Sequence, residues 1–175
     1  MKAEKGKIVF ILGGAKSGKS SFALKKASLL SGKKAYIATA QALDDEMAER
    51  IEKHKSVRGS NWDTFEEPTK ISEVIEKIGN NYSVITLDCL TLWLSNMMCG
   101  SLNASEEIER FFDSLRITHH ASRLFIVSNE VGMGIVPENE LSRRFRDLSG
   151  YLNQRVAQIA DEVYLVTAGI PIKIK

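Results

Sequence analysis

The stretch "IVFILGGAKSGKSS" (Ile8–Ser21) decides the fold, because an apolar run leads directly into a segment rich in glycine, lysine and serine. The run Lys7–Leu12 predicts a short buried strand. After it, Gly13 to Ser20 satisfy the pattern G-x-x-x-x-G-K-[ST], which is typical of loops that bind phosphate. A helix is predicted from Ser20 to Leu30. The pattern therefore stands between a strand and a helix, as its chemistry requires.

Each residue type in this loop suits a triphosphate bound with Mg²⁺. Glycines let the backbone approach a ligand closely, and successive N–H groups then form a concavity for phosphate oxygens. The helix that follows adds its positive end. Lys19 is expected to reach the terminal phosphates, and the Ser20 hydroxyl to hold Mg²⁺. The alternative, a glycine-rich turn without a ligand, is disfavoured by the flanking strand and helix. The predicted nucleotide-binding residues are Gly13, Gly14, Ala15, Lys16, Ser17, Gly18, Lys19 and Ser20.

Apolar strands alternate with helices along the rest of the chain. Further strands are predicted at Ala35–Thr39, Trp62–Phe65, Ser83–Asp88, Leu124–Ser128 and Glu162–Thr167, with the tail "PIKIK" as the partner of the last in a hairpin. Helices are predicted at Leu43–Lys55, Ile71–Ile78, after Asp88, at Ser105–His119 and after Pro137. The pattern predicts an α/β protein, a P-loop NTPase-like three-layer sandwich with a mostly parallel central sheet and helices on both faces. We expect a single nucleotide-binding domain over residues 1–175.

Composition narrows the class of protein. The formal net charge is +2 and the basic residues are scattered among acidic ones, so nothing favours nucleic acid or a membrane surface as a partner. No apolar run approaches the roughly 20 residues that a membrane span needs. Cys89 and Cys99 form no framework for a disulfide or for zinc, and Cys89 is expected to be buried. We expect a cytoplasmic protein with reduced thiols.

A second carboxylate is expected at the end of another buried strand, where it would help to hold Mg²⁺. Asp88 follows the apolar run "SVITL" and fits that position. Ligands bind at the carboxyl ends of strands in open α/β sheets. The alternative is that Asp88 caps the next helix, and both roles are compatible.

His54 is the unusual residue of the second predicted helix. It lies three residues after Ile51 and seven after Met47, so at helical spacing it falls on the apolar stripe. Taken alone, this position favours a structural histidine at the edge of the core. The other interpretation is a neutral imidazole that acts as a nucleophile toward phosphorus, with Arg50 and nearby basic residues stabilising the developing charge.

Three segments resemble a known family. They are "GGAKSGKS" (Gly13–Ser20), "YIATAQALDDEMAERIEKHK" (Tyr36–Lys55) and the stretch from "SNEVGMGIVPEN" to "IPIKIK" (Ser128–Lys175). Together they resemble the bifunctional adenosylcobinamide kinase / adenosylcobinamide-phosphate guanylyltransferase family, over nearly the whole chain from Lys7 onward. The second and third segments are far more specific than the phosphate-loop pattern, which many unrelated proteins share.

The resemblance implies two linked activities late in cobalamin assembly. Such proteins phosphorylate the aminopropanol hydroxyl of adenosylcobinamide with ATP or GTP. They then transfer GMP from GTP to adenosylcobinamide phosphate through a covalent guanylyl-histidine, which releases pyrophosphate and leaves adenosylcobinamide-GDP. A homo-oligomer is also implied, with a trimer as one candidate.

The resemblance assigns further site residues by motif. The family's histidine stands in the setting R-I-x-x-H-x-x-x-R, which matches Arg50, Ile51, His54 and Arg58, so His54 takes the role of nucleophile. The implied nucleotide contacts are Thr39, Ala40, Gln41, Lys55, Ser56, Val57, Arg58, Glu66 and Asp88. Two departures stand out, since Gly59 replaces a proline that is frequent in the family and Asp88 stands where relatives carry glutamate. Neither departure removes a group that the chemistry needs.

Other interpretations stay open at this stage. The chain is also compatible with a P-loop small-molecule kinase in which His54 is structural, or with a member that keeps only one of the two activities. A GTP-dependent switch is disfavoured, because the sequence has no guanine-reading N-K-x-D segment. The stretch "EVGMGIVPEN" (Glu130–Asn139) is expected either to form a mobile loop on the corrinoid side or to be an ordinary connection.

Overall fold

The computed structural model describes residues 6–42, 44–59, 61–100, 102–118 and 122–175. Inside the helices of these ranges, the side chains of residues 50, 53, 54, 57, 58 and 118 lie outside the description. Within the described residues one sheet contains the strands β1 (Ile8–Gly13), β2 (Lys34–Ala38), β3 (Trp62–Glu66), β4 (Val84–Asp88), β5 (Arg123–Asn129), β6 (Glu162–Thr167) and β7 (Ile170–Lys173).

The strand order across the sheet is β3-β2-β4-β5-β1-β6-β7. Neighbouring strands are parallel, apart from the antiparallel pair formed by β6 and β7. Between β1 and β4 in space lies β5, although β5 comes later in the chain than both. The carboxyl ends of β1, β5, β4, β2 and β3 therefore meet in this order along one edge of the sheet.

Helices follow most of the parallel strands. Their bounds are α1 (Lys19–Ser28), α2 (Asp45–Arg58), α3 (Ile71–Ile78), α4 (Leu90–Cys99), α5 (Ala104–Thr118) and α6 (Glu140–Ile159). Side-chain caps start three of them. The carboxylate of Asp44 accepts a hydrogen bond from Met47 N at 2.7 Å, and the amide oxygens of Asn103 and Asn139 accept from Ser105 N at 3.1 Å and Ser142 N at 2.8 Å. Each cap satisfies an N–H group that the first helical turn leaves without a partner.

Two apolar cores cover the two faces of the sheet. Successive side chains of a strand point to opposite faces. Accordingly Ile8 and Phe10 join the larger core, which includes side chains from α3, α4, α5 and α6. Val9 and Ile11 join a smaller core on the other face, beneath α1. The predicted three-layer α/β architecture is therefore confirmed, with α1 on one face and four helices on the other.

Element boundaries differ from the sequence predictions by one or two residues in most cases. The predicted C-terminal hairpin is confirmed, because β7 pairs with β6 and places Ile170 opposite Thr167. Two predicted helix boundaries, at Leu43 and His119, lie outside the described residues. In the part of the chain that the structure describes, every helix is too short or too polar to cross a bilayer.

Gly13 joins the end of β1 to the phosphate loop at a point with no room for a side chain. Its φ is 155°, a backbone conformation that L side chains rarely adopt. A Cβ built at this position would lie 2.2 Å from the backbone oxygen of Val166 on β6. The close approach of β6 therefore requires glycine here. Gly14, the next residue, would carry a Cβ with no heavy atom within 4 Å.

We predict that Gly13→Ala lowers the free energy of unfolding by about 2 kcal/mol or more, because strain and a backbone clash add together. Gly14→Ala is the matched control and should change it by about 0.5 kcal/mol or less, as expected of an open site. Urea denaturation followed by circular dichroism measures both. Equal midpoints for the two variants would contradict this account of the β1–β6 contact.

Candidate nucleotide-binding site

The residues predicted to bind nucleotide lie along the carboxyl edge of the sheet. The phosphate loop follows β1, Asp88 ends β4, Thr39 follows β2 and Glu66 ends β3. Adjacent strands are about 4.8 Å apart, so Asp88 is displaced from Gly13 by two strand spacings, roughly 10 Å. Glu66 is displaced by four spacings, roughly 19 Å. The edge therefore places a carboxylate near the loop and a second one at its far end.

The phosphate loop is built from turns that the C-terminal hairpin supports. Ser17 N donates to Gly14 O at 3.3 Å, and Gly169 N, in the β6–β7 turn, donates to Ser17 O at 2.9 Å. Gly18 adopts φ 97° and is the N-cap of α1. The residues at the tip of the loop, Gly14 to Lys16, are exposed. Hydrogen bonds thus fix the loop at Ser17, while its tip is open to solvent.

The start of α1 is suited to an anion. Gly18 provides no side-chain cap, and the first turn contains no acidic residue. The first N–H groups of a helix lack intrahelical partners and carry the positive end of its dipole. A phosphate group at this position would satisfy them.

Lys19 stands at the centre of this arrangement. Its side chain is only 6% exposed, and its Nζ donates to Gly14 O at 2.6 Å. A buried ammonium group requires such partners, because desolvation without a hydrogen bond is costly. The hydroxyl of the neighbouring Ser17 is buried with no hydrogen-bond partner among the described residues. The loop therefore holds the ammonium group of Lys19 and the hydroxyl of Ser17 behind its exposed tip.

The side chain of Asp88 bonds to a tyrosine and does not cap the helix that follows it. The hydroxyl of Tyr36, 3% exposed on β2, donates to Asp88 Oδ2 at 2.7 Å. The N-cap of α4 is Cys89, which makes no side-chain capping bond. The alternative prediction that Asp88 caps this helix is therefore wrong. The tyrosine occupies one carboxylate oxygen and fixes the direction of the other.

Thr39 joins the ends of β2 and β4. Its Oγ1 donates to Cys89 O and accepts from Cys89 N, both at 2.8 Å, and its N–H donates to Asp88 O at 3.1 Å. The residue is fully buried. Its hydroxyl therefore stabilises the strand ends, while Ala40 and the exposed Gln41 follow it toward the edge. Nucleotide contact at these three positions stays a prediction.

The pKa of the Cys89 thiol reflects the burial and the charges at the end of β4. Burial raises the pKa of its thiol to about 12, the charge of Asp88 adds to the rise, and the charge of Lys19 opposes it. A buried thiol with such a pKa is unreactive at neutral pH. The pKa of this thiol therefore depends on the charges of both Asp88 and Lys19.

An ion pair connects α2 to the far end of the edge. Lys55 Nζ lies 2.8 Å from Glu66 Oε1 and 3.2 Å from Glu52 Oε1. The hydrogen bond to Glu66, followed by that to Glu52, raises the pKa of Lys55. Because all three side chains are largely exposed, the pair contributes little stability. It does place two of the predicted nucleotide contacts within a few ångströms of each other, with Ser56 next to them in sequence.

The helix α2 itself is weakly buried. Met47 and Ile51, which define its apolar stripe, are half-buried, and no described side chain of the helix is buried. The backbone of His54 lies in this helix, but the side chains of His54, Val57 and Arg58 lie outside the described residues. Their predicted roles therefore stay predictions.

Sequence reasoning missed the end of β5. Ser128 ends the predicted strand, and Glu130 begins the loop that was expected either on the corrinoid side or as an ordinary connection. Neither these two residues nor Asn129 was assigned to the phosphate site. Their position between the phosphate loop and Asp88 depends on the insertion of β5 between β1 and β4. Only the order of strands, which periodicity does not reveal, could have identified them.

A parallel sheet with a glycine-lysine loop between β1 and α1 defines a P-loop nucleotide-binding fold. Two solved structures share the architecture. A KaiC-like protein from Pyrococcus horikoshii OT3 matches with a TM-score of 0.51 at 11% identity, covering 92% of this chain and 71% of its own. The RadB recombinase matches with a TM-score of 0.51 at 15% identity, covering 92% and 74%. At these identities the likeness shows the fold alone.

The sequence comparisons define the family. The cobinamide kinase / cobinamide phosphate guanyltransferase family matches residues 9–174, and the chain belongs to this family. The bifunctional adenosylcobalamin biosynthesis protein CobU of Salmonella typhimurium (strain LT2) is 41% identical, with 96% of this chain and 99% of the relative covered. The corresponding protein CobP of Pseudomonas aeruginosa (strain PAO1) is 40% identical, with 94% and 95% covered.

We predict that Lys19→Ala weakens nucleotide binding roughly tenfold to a hundredfold, because it removes charge-assisted hydrogen bonds to phosphate. Lys25→Ala is the matched control, since Lys25 is an exposed lysine of the same helix. Titration of each variant with a fluorescent GTP analogue measures the Kd. Equal affinities of the two variants would contradict the role given to Lys19.

Proposed function

We propose that this chain phosphorylates adenosylcobinamide with ATP or GTP and then transfers GMP from GTP to adenosylcobinamide phosphate. Family membership over nearly the whole chain supports both activities. The observation that carries the proposal is the phosphate loop itself, with Lys19 buried at its centre and Asp88 at the end of a nearby strand. The products are adenosylcobinamide-GDP and pyrophosphate.

In the kinase step the loop binds the β- and γ-phosphates. The N–H groups at the start of α1 and the ammonium group of Lys19 stabilise the charge that accumulates on the leaving nucleotide. In the transfer step the same groups bind the departing pyrophosphate, while the α-phosphorus faces the nucleophile. The same phosphate loop thus serves both reactions. The γ-phosphorus is attacked in the first and the α-phosphorus in the second.

The nucleophile of the transfer step is His54. A bond forms between an imidazole nitrogen and the α-phosphorus of GTP as the bond from that phosphorus to the oxygen bridging to the β-phosphate breaks. A phosphate oxygen of adenosylcobinamide phosphate then attacks the same phosphorus and releases the histidine. The setting R-I-x-x-H-x-x-x-R supports this role. So does the position of His54 on α2, whose described side chains are all exposed or half-buried.

The residues at this edge also fit Mg²⁺. Mg²⁺ prefers oxygen ligands and is bound by one or two carboxylates together with substrate phosphates. Asp88 keeps one carboxylate oxygen that Tyr36 does not occupy, and Ser20 supplies a hydroxyl in the first turn of α1. In the described part of the chain no cluster of three or more metal-ligating side chains is found, so the phosphates would complete the ligand set. When bound, the ion would neutralise phosphate charge.

The proposal extends to organisation. We propose one domain over the whole chain and a homo-oligomer, with a trimer as one candidate. The edge strand β7 supports self-association, because Ile170 and Ile172 are exposed on it at 63% and 47%. Exposed apolar edge strands are surfaces that a second chain can cover.

We predict that His54→Ala abolishes the covalent label from GTP radioactive at the α-phosphate but spares phosphorylation of adenosylcobinamide to within a few-fold. The label in the unmodified protein should be acid-labile and base-stable, as a phosphorus–nitrogen bond requires. Mass spectrometry should find one added GMP. His119→Ala is the matched control, since it removes the same group elsewhere in the chain.

Two outcomes would overturn the transfer assignment. One is the absence of label in the unmodified protein under turnover conditions, which would leave a small-molecule kinase. The other is a label that persists in His54→Ala. Loss of phosphorylation in a folded His54→Ala protein would instead give this histidine a different role.

We predict that Asp88→Asn raises the Mg²⁺ concentration needed for half-maximal nucleotide binding by roughly tenfold, because one ionised ligand is lost. Asp63→Asn is the matched control, since Asp63 on β3 also accepts a tyrosine hydroxyl, from Tyr82 at 2.8 Å. Titration of a fluorescent GTP analogue at varied Mg²⁺ measures this dependence directly. An unchanged dependence in Asp88→Asn would remove Asp88 from the metal site.

A further inference from the structure

The end of β5 lies between the two parts of the phosphate site. In the sheet β5 pairs with β1 on one side and β4 on the other, with Asn129 opposite Gly13 and Val127 opposite Asp88. Glu130 is the first residue after the strand. Glu130 therefore follows the strand that separates the phosphate loop from Asp88. It lies one residue beyond the position opposite Gly13 and three residues beyond the position opposite Asp88.

Hydrogen bonds from three elements fix this strand end. Glu130 N donates to Gly13 O at 3.0 Å, which ties it to the first residue of the phosphate loop. Asn129 N donates to Thr91 Oγ1 of α4 at 2.7 Å, and Asn129 O accepts from Asn153 Nδ2 of α6 at 3.1 Å. A side chain placed on so rigid a support suits a chemical step, because small displacements of a reacting group are costly.

The carboxylate of Glu130 retains free capacity. Its Oε1 accepts a hydrogen bond from Gly132 N at 2.7 Å, and the residue is half-buried. Asp88 also keeps one oxygen that Tyr36 does not occupy, but the Mg²⁺ role proposed for Asp88 would use that oxygen, and Glu66 pairs with Lys55. Among the described residues no ion pair involves Glu130, so its second oxygen is available to a substrate.

The loop after Glu130 presents an apolar surface next to this carboxylate. Met133, Ile135 and Val136 are 80%, 96% and 58% exposed. Such a patch suits a large organic substrate more than it suits water. An acceptor molecule bound on this loop would lie next to Glu130 and close to the phosphate loop.

We propose that Glu130 is the general base of the kinase step. This inference rests on the proposed function. The acceptor hydroxyl oxygen forms a bond to the γ-phosphorus as the bond from that phosphorus to the β–γ bridging oxygen breaks. The hydroxyl proton passes to the free carboxylate oxygen of Glu130 and then to solvent, and the nucleoside diphosphate leaves.

The GMP-transfer step does not need a general base. Its acceptor is a phosphate oxygen that is already ionised at neutral pH, so no proton has to be removed. Its other nucleophile is a neutral imidazole. Glu130 should therefore matter for phosphorylation and not for GMP transfer, which separates the two activities in a way that a general structural role would not.

Glu130→Gln tests the proposal, because glutamine keeps the carbonyl oxygen that accepts from Gly132 N but cannot take a proton. We expect kcat for phosphorylation to fall about a hundredfold to ten-thousandfold, with KM for the acceptor within a few-fold of the original. In the same preparation, the GMP label on the protein and its transfer to adenosylcobinamide phosphate should be unchanged. Glu138→Gln, an exposed glutamate of the same loop, is the matched control and should keep both activities.

The outcomes distinguish this inference from the proposed function. If the unmodified protein phosphorylates adenosylcobinamide and Glu130→Gln does so equally well, Glu130 is only a loop cap and the inference is overturned. Equal loss of phosphorylation and GMP transfer overturns it as well. If the unmodified protein lacks kinase activity, the proposed function fails first. Should Glu130→Gln not fold, Glu130→Asp replaces it, and selective loss of phosphorylation is again the supporting result.

Discussion

The parallel pairing of β1 with β5, and of β5 with β4, is the constraint on which the site depends. It brings the phosphate loop, Glu130 and Asp88 to neighbouring positions on one edge of the sheet. Each strand end is fixed by backbone hydrogen bonds, so the spacing of these groups is set by the sheet rather than by flexible side chains. The groups proposed to carry the chemistry are thereby placed at strand ends that hydrogen bonds fix.

Much of this fold could be predicted from local sequence. Alternating apolar strands and amphipathic helices identify the elements, and the glycine-lysine pattern identifies the loop, because both signals are contained within short segments. The order of strands is not local, and for that reason Glu130 was not placed beside the phosphate loop. The interpretation of Asp88 as a helix cap was wrong, since the competing interaction comes from Tyr36, fifty-two residues earlier in the chain. The role proposed for His54 came from family resemblance, since helical spacing alone favoured a structural histidine.

Two activities on one loop pose a problem of geometry that the structure helps to frame. The phosphate loop is braced by the β6–β7 turn, through the hydrogen bond from Gly169 to Ser17. By contrast, α2 has no buried side chain among those described, and its link to the sheet includes the exposed pair Lys55–Glu66. A phosphate loop that is fixed and a helix α2 that is weakly buried suit a site where the γ-phosphorus is attacked in one reaction and the α-phosphorus in the other.

A crystal structure with a non-hydrolysable GTP analogue and Mg²⁺ tests the central claim most directly. We expect the β- and γ-phosphates inside the loop from Gly13 to Ser20, with Lys19 Nζ moved from Gly14 O onto phosphate oxygens. We also expect an imidazole nitrogen of His54 at roughly 3–3.5 Å from the α-phosphorus, the separation of groups about to react. A triphosphate bound elsewhere, with Lys19 still on Gly14 O, would contradict this claim.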